Sequence, residues 1–187
     1  MRVVSKTLLL ALALVACSPV YGTLVPRLSF EELVGQSQVV VHGRVASIRV
    51  AWDTERENIW THYEIVLDEV LKGSAGRTVE IQEPGGELDG VRMEIVGTPH
   101  YVVGEEVVVF AAPTPAGLRT CGWGQGRFVV EGEAGQRRVR NDLGDVQLTS
   151  AGRVGRYRAA AASDEALTVF KQRIREEVRR QSASASR

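Results

Sequence analysis

The sequence has few of the residues on which catalysis, metal binding or cross-linking depends. Its 187 residues include three histidines and two cysteines. None of these has the i, i+4 or C-x-x-C spacing typical of a zinc site. No glycine-rich segment carries the lysine and hydroxyl residue of a phosphate-binding loop. We therefore expect a non-enzymatic protein with no catalytic residue, no metal site and no cofactor.

The N-terminal segment is typical of an export signal. Two basic residues flank the start of the chain, and the apolar run from Thr7 to Ala16 is too short to span a bilayer. Small residues up to Gly22 predict cleavage after residue 22, which would release a soluble protein. Alternatively, Leu14-Val15-Ala16-Cys17 resembles a lipobox, and acyl chains on Cys17 would anchor the protein to a membrane. Both alternatives predict a periplasmic or extracellular protein.

The rest of the chain has the length of one domain with appendages. No later run approaches a membrane-spanning length, and cleavage after Gly22 would leave Cys121 as the only cysteine. We expect a signal segment over residues 1–22, or 1–16 if Cys17 is lipidated. A β-barrel domain should follow over 23–140, then a loop over 141–162, a helix over 163–181 and a disordered tail over 182–187.

Charge is distributed unevenly along a chain with no net charge. Residues 23–118 contain 15 acids and 7 bases, whereas residues 119–187 contain 8 acids and 14 bases. The basic half could meet an anionic surface such as lipid headgroups or a polyanionic glycan. We favour the alternative interpretation, in which it neutralises the acidic half of the same protein.

Alternation of apolar and polar residues predicts an antiparallel sheet. The first long strand begins at Val39 and changes parity near Ala46-Ser47, which predicts a β-bulge. The charged segment from Asp53 to Asn58 predicts a hairpin tip before the second long strand. The continuous apolar run Val107-Val108-Val109-Phe110 predicts a central strand that is buried on both faces. Bulges and bends of this kind favour a curled sheet or barrel.

Two helices are predicted at the ends of this sheet. Ser29 and Glu32 have capping-box spacing at the start of a short helix. Ser163 is expected to cap the C-terminal helix, with acidic residues in its first turn. This second helix should pack on the sheet through one apolar stripe. The stripe consists of Leu167, Phe170, Ile174 and Val178.

Several motifs between Ser37 and Val130 occur in an order found in one known group of proteins. They are Gln38-Val39-Val40-Val41-His42-Gly43-Arg44-Val45, Tyr63-Glu64-Ile65-Val66-Leu67-Asp68-Glu69-Val70-Leu71-Lys72-Gly73, Gly104-Glu105-Glu106-Val107-Val108-Val109-Phe110 and Cys121-Gly122. Their order resembles the netrin-like module of the tissue inhibitors of metalloproteinases. The chain also resembles uncharacterised exported bacterial proteins through Ile59-Trp60-Thr61-His62-Tyr63, Glu83-Pro84-Gly85-Gly86 and Gly122-Trp123-Gly124-Gln125-Gly126.

The resemblance covers about half of the chain and implies a fold and a set of functions. It implies an OB-like, netrin-like barrel of about five or more antiparallel strands, closed or partly open, with helices packed alongside. Metalloproteinase inhibitors of this type chelate zinc through the amine and carbonyl of a processed N-terminal cysteine. A lipidated Cys17 would have a blocked amine, and cleavage after Gly22 would remove Cys17. Inhibition is therefore the alternative to a binding function, and an enzyme of unknown activity is the second alternative.

The candidate binding residues are aromatic or belong to a glycine-rich turn. Trp60 and Trp123 could stack a sugar or peptide on the barrel surface, or they could pack in its core or rim. Pro84, Gly85 and Gly86 form the turn that interrupts the third strand. Export and the acidic strand region argue against nucleic acid as a ligand. We therefore expect a non-catalytic module that binds an envelope protein, peptide or glycan.

Overall fold

The computed structural model describes residues 24–141, 147–150, 153–155 and 164–185. Its strands are β1 Leu24–Pro26, β2 Val39–Trp52, β3 Ile59–Lys72, β4 Thr78–Pro84, β5 Gly86–Leu88, β6 Val91–Met93, β7 Glu106–Thr114, β8 Gly117–Thr120, β9 Arg127–Glu131, β10 Arg138–Arg140, β11 Gln147–Ser150, β12 Arg153–Gly155 and β13 Glu165–Ala166. Its helices are α1 Phe30–Gln36 and α2 Leu167–Ala185, and a 3-10 turn covers Trp123–Gly126.

The fold is mainly β, with one large antiparallel sheet and a helix at each end, as the sequence predicts. The strand order is β13-β10-β9-β7-β2-β3-β4, and β8 pairs with the second half of β7. The sheet is not closed into a full ring, so the fold agrees with a partly open barrel. Its two long strands, β2 and β3, contain 14 residues each and form a hairpin.

The β2–β3 hairpin contains the predicted turn and the predicted bulge. The Asp53 carboxylate accepts hydrogen bonds from the backbone N–H groups of Glu57 and Asn58, which orders the hairpin tip. The pairing register shifts between Val45 and Ser47, where the parity of the sequence changes. A bulge at this point bends the hairpin and lets the sheet curl.

Strand β7 separates two hydrophobic cores, which explains its continuous apolar sequence. Val107, Val109 and Ala111 face the interior of the curled sheet, where they join residues of β2, β3 and β4. Val108 and Phe110 face the opposite side, where they pack beneath α1 and α2. All five side chains have no exposed surface. The prediction of a central strand buried on both faces is therefore confirmed.

The second core is organised by all four phenylalanines of the chain. Phe30 of α1, Phe110 of β7, Phe128 of β9 and Phe170 of α2 form one cluster with ring centroids 4.7–6.4 Å apart. The tilted and edge-on ring arrangements are those that aromatic quadrupoles favour. One residue type thus joins both helices to two strands of the sheet.

Helix α1 is fixed at both ends by side chains. At its start, Ser29 Oγ accepts from the Glu32 N–H at 3.1 Å, and the Ser29 N–H donates to Glu32 Oε2 at 2.7 Å. This confirms the predicted capping box. At its end, Lys72 Nζ donates to the carbonyl oxygens of Val34 at 2.5 Å and Ser37 at 2.7 Å. Lys72 therefore ties the end of β3 to the C-terminus of α1, where a cation is favourable.

The C-terminal region differs from the expectation in three respects. The segment 141–162, expected to be a loop, contains β11 and β12, and β11 pairs in parallel with β1. Helix α2 begins at Leu167, and Glu165 lies in β13, so the first turn contains no acidic residue. The helix extends to Ala185, beyond the expected end at residue 181. Ser163, the expected cap, lies outside the described residues.

Bases of the second half of the chain pair with acids of the first half. The pairs that connect the halves are Arg119–Glu83, Arg127–Glu105, Arg137–Glu106, Lys171–Glu69 and Arg175–Glu69. The basic half thus neutralises acidic groups of its own protein, as the favoured interpretation of the charge asymmetry predicts. In the part of the chain that is described, no helix combines the length and apolar composition that crossing a membrane requires.

We predict that Lys72→Met destabilises the protein by about 1–3 kcal/mol, because charge-assisted hydrogen bonds to the α1 carbonyls are lost. Urea unfolding monitored by circular dichroism measures the change. Arg77→Met is the matched control, since Arg77 is exposed in the turn after β3 and its loss removes the same charge. Equal stability of the two variants would show that Lys72 does not hold α1.

Candidate functional site

The two predicted binding tryptophans converge on one arginine. Trp60 lies in β3 and Trp123 in the 3-10 turn, and both are partly buried. The Arg119 guanidinium of β8 lies 5.9 Å from the Trp60 ring centroid and 5.3 Å from that of Trp123. Both distances are within the range of cation–π attraction. We call Trp60, Arg119 and Trp123 the tryptophan face.

A buried carboxylate holds this arginine in place. Glu83 of β4 is 1% exposed, and its Oε1 accepts the Thr120 N–H of β8 at 2.7 Å. Its Oε2 lies 3.4 Å from both Nε and Nη2 of Arg119. These contacts connect β4 to β8, two strands that do not pair with each other among the described residues. Glu83 therefore bridges β4 and β8 across the opening of the barrel and orients Arg119.

The environment of Glu83 raises the pKa of its carboxyl group above the ordinary value. Burial is the main cause, since it disfavours the charged form. Hydrogen bonds from Thr120 and the charge of Arg119 act in the opposite direction. Thr120 is also held by its hydroxyl, which lies 2.6 Å from the Tyr101 hydroxyl. The seam between β4 and β8 is thus a buried polar cluster in which each group has a partner.

The segment from Gly122 to Gly126 holds Trp123 in an uncommon backbone conformation. Gly122 and Trp123 have φ angles of 61° and 59°, in the left-handed region that residues other than glycine rarely adopt. A Cβ at Gly126 would lie 2.7 Å from the Cys121 carbonyl oxygen and 2.8 Å from that of Phe110. Only glycine fits at position 126, and this close approach fixes the turn that presents Trp123.

Gln125 binds the stretch between β1 and α1 to this turn. Its side chain is 2% exposed, and its Oε1 accepts the Leu28 N–H at 2.9 Å. Its Nε2 donates to the Pro26 carbonyl at 2.9 Å and to that of Gly122 at 3.0 Å. The glycine-rich motif therefore positions two neighbours of the site, the Trp123 ring and the chain entering α1.

A cavity of about 540 Å³ lies beside the tryptophan face. Arg119 and Trp123 line it together with residues from the N-terminal segment, α1 and the ends of β7 and β8. Most of its wall is apolar, which is typical of ligand cavities. The apolar lining residues are Val25, Pro26, Leu28, Ala112, Cys121 and Trp123.

The predicted turn residues divide between the tryptophan face and a second cavity. Pro84 stands opposite Trp60 in the β3–β4 register. Gly86 packs tightly, because a Cβ there would lie 2.8–2.9 Å from the side chains of Val50 and Thr61. Pro84, Gly85 and Gly86 line a cavity of about 280 Å³ that also includes His100. The structure thus brings Trp60 and Trp123 together on Arg119, and places Pro84 beside Trp60 and, with Gly85 and Gly86, at an adjoining cavity.

Sequence reasoning missed Glu83 and Arg119, although one signal was present. Val79 and Ile81 of β4 alternate as buried residues, and Glu83 continues their parity. A charged residue in line with a buried face predicts a buried ion pair or hydrogen-bonded carboxylate. Arg119 carried no comparable signal, because its partners come from β4, β3 and the 3-10 turn.

Sequence reasoning also missed a buried histidine network under α2. His42 is 3% exposed, and its Nε2 lies 2.8 Å from Glu106 Oε1. Lys171 Nζ lies 3.2 Å from His42 Nδ1. An ammonium group can only donate, so Nδ1 is the acceptor and the proton of a neutral His42 lies on Nε2. The histidine therefore relays a hydrogen-bond chain from α2 to β7.

Three groups of this network have the composition of a metal site. Ligand atoms of His42, Asp68 and Glu106 all lie within 4.8 Å of one another. However, Lys171 donates to His42, and guanidinium groups of Arg44 and Arg137 lie 3.1 Å and 3.0 Å from the Glu106 oxygens. A metal ion would have to displace these cationic donors. The geometry therefore fits a structural network of ion pairs and hydrogen bonds better than a metal centre.

Of the two cysteines, the structure describes only Cys121. Cys121 is 3% exposed within the second core, and burial raises the pKa of its thiol, so the thiolate form required of a nucleophile is disfavoured. His100, its conceivable base, is exposed beside the second cavity. Cys17 and the export segment lie outside the described residues. The predictions of lipidation and of inhibition through an N-terminal amine remain predictions.

The fold and site define a mainly β, partly open barrel with an aromatic, arginine-centred face. Comparison of the chain with protein-family models, with curated proteins and with solved structures finds no match. The netrin-like resemblance accordingly stays an expectation.

We predict that Glu83→Ala destabilises the protein by about 2–4 kcal/mol, because it leaves the buried Thr120 N–H unpaired and Arg119 without its carboxylate. Glu83→Gln retains an acceptor for Thr120 and should recover most of this loss. Urea unfolding of both variants measures the difference. Equal destabilisation by Ala and Gln would contradict the role given to the Thr120 hydrogen bond.

Glu83 should also give stability a pH dependence of known sign. Because its pKa is raised in the folded state, the folded protein binds this proton more tightly than the unfolded chain. Its contribution to the free energy of unfolding therefore falls as the pH rises from the ordinary glutamate pKa to the raised one. Above the ordinary glutamate pKa of about 4.3, Glu83→Gln should remove this fall in the free energy of unfolding. The exposed Glu87→Gln, which changes the charge equally, should leave it unchanged.

Proposed function

We propose that this chain is a non-catalytic, exported binding module of the cell envelope that holds its ligand at the tryptophan face. The observation that carries the proposal is the convergence of Trp60 and Trp123 on Arg119 beside an apolar cavity. Partly exposed tryptophans and arginines are the residues most enriched at energetically dominant contacts. The export segment and the netrin-like motif order support an envelope location and a binding role.

The backbone of Trp123 gives independent support. A left-handed conformation costs a residue other than glycine on the order of 1–2 kcal/mol, and such strain clusters at functional sites. Glycine at this position would avoid the strain, as it does at Gly122. Of the four described residues other than glycine with a positive φ, Trp123 is the one whose ring stands at the cavity, which supports a role in contacting a ligand.

The lining of the cavity favours a peptide segment of an envelope protein over a glycan. Val25, Pro26 and Leu28 form an aliphatic wall that suits an apolar side chain. Arg119 stands at the same cavity, where its N–H groups can donate to a peptide carbonyl or carboxylate. A sugar hydroxyl that faced these three residues would have no partner, since the polar lining residues Glu32, Gln36, Thr114 and Thr120 come from α1, β7 and β8.

Selection from a phage-displayed library of random peptides tests the proposal. We expect peptides with an apolar residue that bind the purified protein and quench its tryptophan fluorescence. Trp60→Ala and Trp123→Ala should weaken the selected peptide by about 30-fold or more, the usual loss at a dominant aromatic contact. Titration of each variant with that peptide provides the dissociation constants.

The matched control is Trp52→Ala. Trp52 is another partly buried tryptophan, but it donates to Asp89 at 2.9 Å and contacts Arg56 near the hairpin tip. Its loss should change peptide affinity less than twofold. Equal effects of the three substitutions, or unfolding of the Trp60 and Trp123 variants, would refute the binding assignment. Tryptophan-dependent binding on a glycan array, without any selected peptide, would overturn the peptide as ligand but keep the face.

A further inference from the structure

A third cavity, of about 630 Å³, lies between β10 and the start of α2, away from the tryptophan face. Among the residues that the structure describes, its charged lining consists of Arg137, Arg138 and Lys171, and no described aspartate or glutamate lines it. The buried His42 and the exposed Thr168 add polar groups to the wall. A cavity lined by charge of one sign focuses the field on a ligand of the opposite sign.

The acidic partners of these bases lie outside the cavity lining. Arg137 contacts Glu106, which is 8% exposed, and Lys171 contacts Glu69 at 2.6 Å. Both acids also contact a second base, Arg44 for Glu106 and Arg175 for Glu69. Each of these two acids is therefore shared between two cations. These four bases outnumber the two acids that they share; the other acid of the network is Asp68, which lies 3.9 Å from His42 Nδ1 and is exposed.

Of the three bases, Arg138 can bind a ligand with the smallest loss of stability. Its partner is Asp164, and the two side chains are 52% and 70% exposed. An exposed ion pair of this kind contributes little to stability, because water solvates both charges when they separate. Exchange of Asp164 for a ligand anion would bring the Arg138 guanidinium into the cavity without disturbing a buried network.

The N-terminal end of α2 also contributes positive electrostatic potential to the cavity. This helix has 19 residues and no acidic residue in its first turn. The Leu167 N–H donates to the Arg137 carbonyl at 2.9 Å, and the next N–H groups of a first helical turn have no partner within the helix. Because Leu167 and Thr168 line the cavity, the positive end of the helix dipole lies at its wall.

We infer that this cavity binds a phosphate-bearing organic anion. Arg138 and Lys171 supply the charged contacts, and the first turn of α2 supplies N–H donors for the phosphate oxygens. The volume of the cavity exceeds that of a phosphate group, so the organic part of the ligand occupies the remainder. The site is independent of the proposed peptide-binding face, and no residue is shared between the two.

Titration with inorganic phosphate, followed by amide NMR of the isotope-labelled protein at constant ionic strength, tests the inference. We expect saturable shifts of the Thr168 and Val169 amide signals. Arg138→Gln should weaken the apparent phosphate affinity about tenfold, the effect of one charge-assisted contact. Arg140→Gln is the matched control, because Arg140 lies on the same strand, pairs with Glu131 and does not line the cavity. It should change the affinity less than twofold.

Chemical shifts that do not saturate, or equal effects of the two arginine substitutions, would overturn the inference.

A second experiment identifies the source of the phosphate group. Sedimentation with phosphatidylglycerol vesicles but not with phosphatidylcholine vesicles, lost in Arg138→Gln, would identify a lipid headgroup. Phosphate binding without Arg138-dependent sedimentation would identify a soluble phosphate ester. Trp60→Ala and Trp123→Ala should leave both results unchanged, so this test is separate from that of peptide binding.

Discussion

The buried Glu83 carboxylate is the interaction on which the geometry of this protein depends most. It joins β4 to β8 across the opening of the barrel through the Thr120 N–H, and in the described part of the chain these two strands are not paired through their main chains. The same carboxylate orients Arg119, which in turn contacts both tryptophans. A buried glutamate costs solvation energy. That cost is consistent with a group retained to fix one arrangement of the barrel edge and the tryptophan face.

Other contacts of the fold hold the elements around β8 and the tryptophan face in place. The phenylalanine cluster joins both helices to β7 and β9. Strand β7, with which β8 pairs, therefore packs on a rigid layer of side chains. Gln125 holds the N-terminal segment against the 3-10 turn, and Lys72 fixes the end of α1. Each of these contacts connects residues far apart in the sequence. The tryptophan face is consequently a product of the whole barrel rather than of one loop.

Local features could be predicted from the sequence, whereas contacts between distant strands could not. The capping box at Ser29, the bulge before Ser47 and the two-faced strand β7 follow from short-range patterns of side chains. The parallel pairing of β11 with β1 crosses more than a hundred residues and has no local signal. Among the binding candidates, aromatic character indicated Trp60 and Trp123. Their common partner Arg119 depends on how the sheet curls, which a single sequence does not specify.

The most direct test of the claim that Glu83 bridges β4 and β8 is native-state hydrogen exchange of the Thr120 amide. If the carboxylate seals the seam, this N–H should exchange only through global unfolding. Its free energy of exchange should then equal that of the Val108 and Phe110 amides in the central strand. Rapid exchange of Thr120 through local opening, while the amides of β7 stay protected, would contradict the account. It would show that β4 and β8 separate freely and that Glu83 does not organise the tryptophan face.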